Sequence, residues 1–234
     1  MPYPVAKLPY GLRCRFHDLA APLERYNLQI AAGNAAICPP MQTIEKCKIF
    51  TLLCENGVTT LYHRNGSSDP DKLMVLNENS LVCGNHFSFF KASVDYLTST
   101  ILQQILMKPN LLDLSMCDFS NNFLTTLRPF VVDCTRLQIN INSSVSFNDL
   151  VTTFPRLDKL IIRVSPHLPR TWLTELLQFS GRLTFLQFNM CSGIFNNVTC
   201  DELVTFLKAQ KRGFRLVLDS LSITPEKRKT PTVG

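Results

Sequence analysis

The chain has 234 residues, which is enough for one large domain or two small ones. Hydrophobic residues make up 45% of it and charged residues 18%, an ordinary globular composition that excludes a disordered chain. The formal net charge of +6 is modest for this length and does not by itself indicate a nucleic-acid or membrane-surface binder.

The start of the chain and its cysteines predict an intracellular protein. Residues 1–7 contain neither the basic region nor the apolar run of a signal peptide. No window approaches the roughly 20 apolar residues of a membrane-spanning helix. The nine cysteines lie mostly among apolar residues, which is typical of reduced thiols that serve as small buried side chains. We therefore expect a cytoplasmic or nuclear location.

Residues 1–42 are predicted to form a helical cap. Pro9 suits the first turn of a helix, and Leu8, Leu12, Phe16 and Leu19 follow at spacings that place them on one side of it. A second helix starts at a proline, Pro22, and ends at a Gly-Asn pair, residues 33–34. Each helix is too short to be stable alone, so both must pack on a neighbour.

Residues 43–88 are predicted to form antiparallel strands. Two β-rich runs, 49–54 and 58–62, flank Asn56-Gly57, and Asn-Gly is the strongest short hairpin signal. Two further short strands, 73–76 and 80–83, would complete a small antiparallel β insert.

Residues 89–222 show a recurring unit. After a predicted helix over 89–107, five strand-like runs begin 26, 20, 26 and 31 residues apart, the first at Leu111. Apolar helical stretches lie between them, at 123–132, 147–154, 171–179 and 200–209. This alternation is typical of a leucine-rich solenoid, in which stacked units share one core. Residues 223–234 are predicted to be a flexible basic tail.

Two of the runs resemble the L-x-x-L-x-L strand of leucine-rich repeats: residues 111–117, Leu-Leu-Asp-Leu-Ser-Met-Cys, and residues 183–189, Leu-Thr-Phe-Leu-Gln-Phe-Asn. The resemblance covers about residues 90–221, although Asp113 and the uneven spacing depart from a regular repeat. Parallel β-α-β packing in an open α/β sheet gives the same local pattern and is the alternative. We favour an α/β fold built as a short irregular leucine-rich-repeat-like solenoid, because no strand is a long Val/Ile run.

The N-terminus resembles a degenerate F-box in its Leu-Pro start and later leucines and proline, although the tryptophan-bearing part of that motif has no counterpart; the matching residues are Leu8, Pro9, Leu12, Leu19, Pro22 and Leu28. An F-box followed by leucine-rich repeats is the order found in substrate receptors of ubiquitin ligases, a type expanded in nematodes. The resemblance implies that Leu8, Pro9, Leu12 and Leu19 contact a ligase scaffold while the solenoid holds a client. The alternative is that these apolar side chains only cap the core.

The partner-binding surface of a solenoid is the face formed by outward-pointing strand residues. On the strand alternation the candidates are Asp113, Ser115, Gln138, Asn140, Asp158, Lys159, Gln187 and Asn189. Mixed polar residues suit a protein partner better than a lipid or a cofactor. The chain is therefore predicted to be a non-catalytic protein–protein interaction module.

Two other functions stay open. One is nucleic-acid association through the basic residues Lys208, Lys211, Arg212 and Arg215. The other is a paralogue that antagonises a longer relative.

Motifs for catalysis or metal binding are weak. The chain has no G-x-G-x-x-G, G-x-x-x-x-G-K-[ST], H-E-x-x-H or G-x-S-x-G sequence. Two Cys-x-x-His pairs, Cys14/His17 and Cys83/His86, have the ligand types that zinc prefers. Nothing in the sequence requires the pairs to meet, so we expect no metal, cofactor or catalytic residue.

Overall fold

The computed structural model describes residues 7–33, 37, 42–66, 69–77, 79–97, 100–141, 145–164, 171–189 and 198–219. The helices are α1 (Tyr10–Leu19), α2 (Pro22–Ala32), α3 (Val94–Leu97), α4 (Asn121–Val131), α5 (Phe147–Thr153), α6 (Trp172–Leu176) and α7 (Cys200–Ala209). The strands are β1 (Ile44–Lys46), β2 (Ile49–Glu55), β3 (Val58–Arg64), β4 (Lys72–Leu73), β5 (Leu81–Phe90), β6 (Ile105–Ser115), β7 (Arg136–Ile141), β8 (Lys159–Val164), β9 (Phe185–Asn189) and β10 (Arg215–Asp219). Short 3-10 helices occupy Thr100–Gln104 and Leu177–Phe179.

All ten strands belong to one mostly parallel sheet with the order β10-β9-β8-β7-β6-β5-β2-β3-β4, and β1 lies beside the first half of β5. The prediction of a leucine-rich-repeat-like solenoid with a separate β insert is therefore wrong. Strands from the N-terminal third pair with β5 and extend the same sheet, so the fold is a sheet-centred α/β arrangement. The strand–helix alternation could not distinguish the two, because parallel β-α-β units give the same local pattern.

Helices α3 to α7 form one layer on one face of the sheet. Each of them contacts the next in chain order. Each strand from β6 to β10 also pairs in parallel with the strand before it, in a constant direction along the sheet. Because such crossovers are right-handed, every connection lies on the same face. The strand side chains below this layer are buried, as are Phe123, Leu150 and Leu176 on the helices. Burial of this apolar interface is the main favourable contribution to folding.

The β2–β3 hairpin is confirmed, and the antiparallel meander beyond it is wrong. Asn56 and Gly57 both have positive φ, at 52° and 76°, as a two-residue hairpin turn of the favoured type requires. After β3 the chain forms the two-residue strand β4, which is the edge of the sheet at this end. The chain then returns on the other side of β2, so that β5 pairs with β2 in parallel, Phe50 beside Phe87.

The helix predicted over residues 89–107 is also wrong. Strand β5 continues to Phe90, only Val94–Leu97 and the 3-10 helix at Thr100–Gln104 are helical, and β6 starts at Ile105. Pro109 ends no element: it lies inside β6, where the pairing jumps from Gly84 with Met107 to His86 with Leu111. The irregular segment accommodates the proline, because a residue without an N–H fits a strand best at a break in the ladder.

The two N-terminal helices are confirmed, but the burial expected for them is not. Pro22 stands in the first turn of α2, and Gly33 ends that helix with a φ of 65°. However, α1 buries none of its residues, and α2 buries Pro22, Arg25 and Gln29 rather than an apolar stripe. In the described part of the chain, no helix is long and apolar enough to cross a membrane. The predicted tail, residues 223–234, lies outside the described residues.

Candidate functional site

The face of the sheet opposite the α3–α7 layer carries three rows of side chains from β5 to β10, which we call the uncovered face. The strand registers place one residue of each strand in each row. The first row is His86, Leu111, Arg136, Lys159, Phe185 and Arg215; the second is Ser88, Asp113, Gln138, Ile161, Gln187 and Val217; the third is Phe90, Ser115, Asn140, Arg163, Asn189 and Asp219. Every one of these side chains is half-buried or exposed, in contrast to the buried residues that alternate with them on β5 to β9.

The registers bring seven of the eight predicted strand residues onto this one face; they are Asp113, Ser115, Gln138, Asn140, Lys159, Gln187 and Asn189. The alternation of side chains along each strand is what located them. The same alternation applies to Arg136, Ile161, Arg163 and Phe185, which the sequence analysis missed. Arg136 and Arg163 lie just outside the strand-like runs, and Ile161 and Phe185 are apolar, so none of the four is a polar residue within a run.

The eighth residue, Asp158, has a different place. It precedes β8, and its carboxylate accepts a hydrogen bond from Thr184 Oγ1 at 2.6 Å. Lys211 Nζ lies 3.8 Å from the same carboxylate and donates to the Arg182 carbonyl at 2.7 Å. Asp158 therefore ties β8 to the starts of β9 and β10, rather than facing a ligand.

The acidic side chain at the centre of the face is held by its neighbours. Asp113 accepts hydrogen bonds from Ser115 Oγ at 2.9 Å and from Gln138 Nε2 at 2.6 Å. In the same way Gln187 Nε2 donates to Asn189 Oδ1 at 2.7 Å. Such cross-strand and same-strand bonds fix the orientation of the polar side chains before any ligand arrives.

The cationic side chains of the face have no such partners. None of Arg136, Lys159 and Arg163 forms an ion pair with a described carboxylate. Neighbouring strands lie about 4.8 Å apart, and these residues stand on the adjacent strands β7 and β8, which pair Arg136 with Lys159. Arg136 and Lys159 are therefore adjacent in the first row, and Arg163 stands about 13 Å further along β8, in the third row. Burial lowers the pKa of the nearby His86, despite an opposing effect of Asp113, so that this imidazole is neutral near pH 7.

The predicted N-terminal contact residues lie away from the uncovered face. Pro9 stands immediately before α1, Leu8 is half-buried, and Leu12 and Leu19 are 48% and 77% exposed. The helix pair α1–α2 packs against the rest of the chain through polar groups of α2 instead. Arg25 donates to His17 Nε2 at 2.6 Å and to Asn79 Oδ1 at 2.9 Å, and the backbone N–H of Gln42 donates to Gln29 Oε1 at 3.2 Å. The apolar side chains of α1 are consequently left at the surface.

Groups that could support catalysis or bind a metal are dispersed. Among the described residues no three His, Cys, Asp or Glu side chains come together as a metal site, and the two Cys-x-x-His pairs lie on α1 and on β5. Cys47 Sγ is 3.7 Å from His63 Nδ1. Burial, with a smaller effect of Glu45, raises the pKa of the Cys47 thiol, so this pair holds a neutral thiol and not an activated nucleophile.

Comparisons with known proteins add no relative to this geometry. No protein-family model matches the chain. No curated protein and no solved structure matches it either.

Proposed function

We propose that the protein is a protein-binding module that holds an acidic segment of a protein partner on the uncovered face of its sheet. The observation that carries this proposal is that Arg136, Lys159 and Arg163 form no ion pair with any described carboxylate. On the same face the acidic Asp113 is already held by Ser115 and Gln138, so it does not neutralise them. Electrostatic complementarity of this kind sets the choice of partner and the rate of association more than the affinity.

Apolar side chains support a protein partner over a small polar ligand. Leu111 and Phe185 stand in the first row beside Arg136 and Lys159, and Ile161 lies between Lys159 and Arg163 on β8. Protein interfaces combine apolar contacts with arginine in this way. A non-catalytic role and an intracellular setting belong to the same proposal. Four of the described cysteines, Cys47, Cys54, Cys117 and Cys134, are buried and free, which suits a reducing compartment.

The alternative of a nucleic-acid partner has less support. Its basic residues are divided between the two sides of the sheet, because Lys208 lies on α7 in the helix layer and Arg215 projects to the uncovered face. Lys211 is already engaged by the Arg182 carbonyl and lies near Asp158. Lys208, Arg212 and Arg215 are all exposed, but they are not gathered on one face.

The test compares the intact chain with a Lys159→Glu/Arg163→Glu variant in affinity purification followed by mass spectrometry. An Arg128→Glu/Lys208→Glu variant makes the same change of charge on exposed helix positions and serves as the control. We expect a protein set that the first variant loses and the control keeps, with binding that weakens as salt rises. Equal recovery by all three chains contradicts the proposal, and recovery of nucleic acid in place of protein favours the alternative.

We propose further that α1 is the docking element of an adaptor, in which the N-terminal helices contact a ubiquitin-ligase scaffold. The supporting observation is the exposure of Tyr10, Leu12, Phe16 and Leu19 on a helix that buries nothing. An apolar helix surface of this kind is a normal feature of a protein contact.

A Leu12→Glu/Leu19→Glu variant separates docking from core capping. Both leucines are exposed, so we expect an unchanged melting temperature and the loss of a ligase scaffold from the purified complex. An Arg15→Glu variant, also exposed on α1, is the control. A fall in melting temperature together with uniform loss of partners would instead support the capping role.

A further inference from the structure

Strand β10 is an edge of the sheet with an exposed backbone and exposed apolar side chains. It pairs with β9, and no described strand lies on its other side. Leu218 is 49% exposed, whereas Phe188, its register partner on β9, is fully buried. Unpaired strand edges bind other strands unless they are blocked by charge, proline or a covering element. No described element covers β10 and it contains no proline, while its two charged residues, Arg215 and Asp219, have opposite signs.

The helix layer is incomplete at the same end. Helix α7 packs against α6 and is the last described helix of the layer. Its Val204 and Leu207 are 45% and 43% exposed, and at i, i+3 spacing they lie on the same side of the helix. Both layers of the fold therefore present apolar side chains where the sheet ends.

The sequence of β10 is complementary to itself in one orientation. It reads Arg-Leu-Val-Leu-Asp from Arg215 to Asp219. If two copies pair antiparallel about a two-fold axis through Val217, Arg215 of each copy lies opposite Asp219 of the other, and Leu216 lies opposite Leu218. Opposite residues of an antiparallel pair project to the same face, so two ion pairs form on the uncovered face and the leucines meet on the helix side. Parallel pairing in register would instead place like charges together.

We propose that the occupant of this edge is a second copy of the chain, and that the protein is a two-fold dimer whose sheet continues from one β10 into the other. An axis perpendicular to the sheet keeps both helix layers on the same side. It brings the two α7 helices towards each other, so that Val204 and Leu207 of both copies are covered. The contact is isologous and closes on itself, which limits the assembly to two chains.

The test measures the mass of the full chain by sedimentation velocity and by light scattering after gel filtration. The expected species has twice the 26.5 kDa of one chain. Arg215→Glu places carboxylates opposite each other at two symmetric positions, and Asp219→Arg does the same with guanidinium groups. Each variant should weaken dimerisation at least about tenfold. Both side chains are exposed, so the melting temperature of each subunit should not change through lost core contacts.

A mixture of the two variants provides the decisive measurement. In a mixed dimer the carboxylate introduced at position 215 of one chain faces the guanidinium introduced at position 219 of the other. The native Asp219 of the first chain faces the native Arg215 of the second, so both pairs are attractive again. We expect the mixture, and the Arg215→Glu/Asp219→Arg double variant, to recover the dimer. Arg212→Glu, an exposed charge reversal outside the strand, should leave it intact. A monomeric wild-type chain, or a dimer that none of these variants weakens, overturns the proposal and leaves this edge to another strand.

Discussion

Gly84 provides a sharp test of how tightly the sheet is packed where β5 passes β2. A Cβ atom added at Gly84 would lie 2.5 Å from Cδ2 and from Cε2 of Phe50 and 3.0 Å from the Cys47 carbonyl oxygen. Phe50 cannot move away easily, because it is buried and stacks on Phe87 with ring centroids 5.3 Å apart. The backbone of Gly84 is not in the left-handed region, so the clash is the only obstacle to an alanine.

The expected cost of Gly84→Ala follows from two opposing effects. Overpacking a core costs about 1–3 kcal/mol, while restriction of the unfolded chain by alanine offsets about 0.4–1 kcal/mol of this. A net loss of roughly 1–2 kcal/mol in the free energy of unfolding corresponds to a melting temperature lower by roughly 2–8 °C for a chain of this size. Thermal and urea unfolding followed by circular dichroism measure both quantities.

Two further variants decide whether the contact with Phe50 is the cause. Gly84→Ala should cost less in a Phe50→Leu background than in the wild type, because the smaller side chain makes room for the added methyl group. Gly11→Ala is the control, since nothing lies within 4 Å of a Cβ at that helical position, and alanine there should be neutral or stabilising. A Gly84→Ala protein that melts at or above the wild-type temperature would refute the reasoning.

Four more predictions concern other parts of the molecule. Arg25→Met removes the bonds to His17 and Asn79 and should release α1 and α2 to hydrogen exchange and proteolysis while the strands stay protected; Arg15→Met, at an exposed position, should not. Ser120→Ala removes the side chain that accepts from the Phe123 amide at the start of α4 and should lower the free energy of unfolding by about 1 kcal/mol in urea titrations. Burial raises the pKa of Cys117 to about 12, so iodoacetamide at pH 8 should label the exposed Cys200 and spare Cys117, as mass spectrometry of the digest would show. Because this folded-state pKa lies above the unfolded value of about 8.5, the contribution of Cys117 to stability is complete below pH 8.5 and is lost as the pH rises towards 12. Between pH 8 and pH 10.5 a Cys117→Ala variant should therefore lose less stability than the wild type. An equal loss in the two proteins would contradict this.

Local structure was largely predictable because side-chain alternation and helical spacing are local properties. The predicted helix over 200–209 coincides with α7, and the hairpin at Asn56-Gly57 is where the turn chemistry places it. Strand pairing was not predictable in the same way. Nothing within β5 indicates that β2 will be its neighbour, since that contact joins residues as distant as Ile49 and His86.

For the candidate site too, local patterns were predictable and contacts between distant elements were not. Alternation located Asp113, Gln138 and Asn189 on one face, because the period of a strand is two residues and does not depend on the rest of the fold. The exposure of α1 could not be read from its apolar spacing. An amphipathic helix normally buries its apolar side, and here the buried polar residues Arg25 and Gln29 of the following helix make the contact instead.

The order of the strands also determines how the sheet can assemble during synthesis. The β2–β3 hairpin is complete before β5 is made, and β5 then adds beside β2. From β6 to β10 each new strand pairs with the one just finished, so the loops that must close are short and the entropic cost of each step is small. We therefore expect the protein to fold on the ribosome one strand–helix unit at a time, always at a single growing edge, with β10 the last to be added.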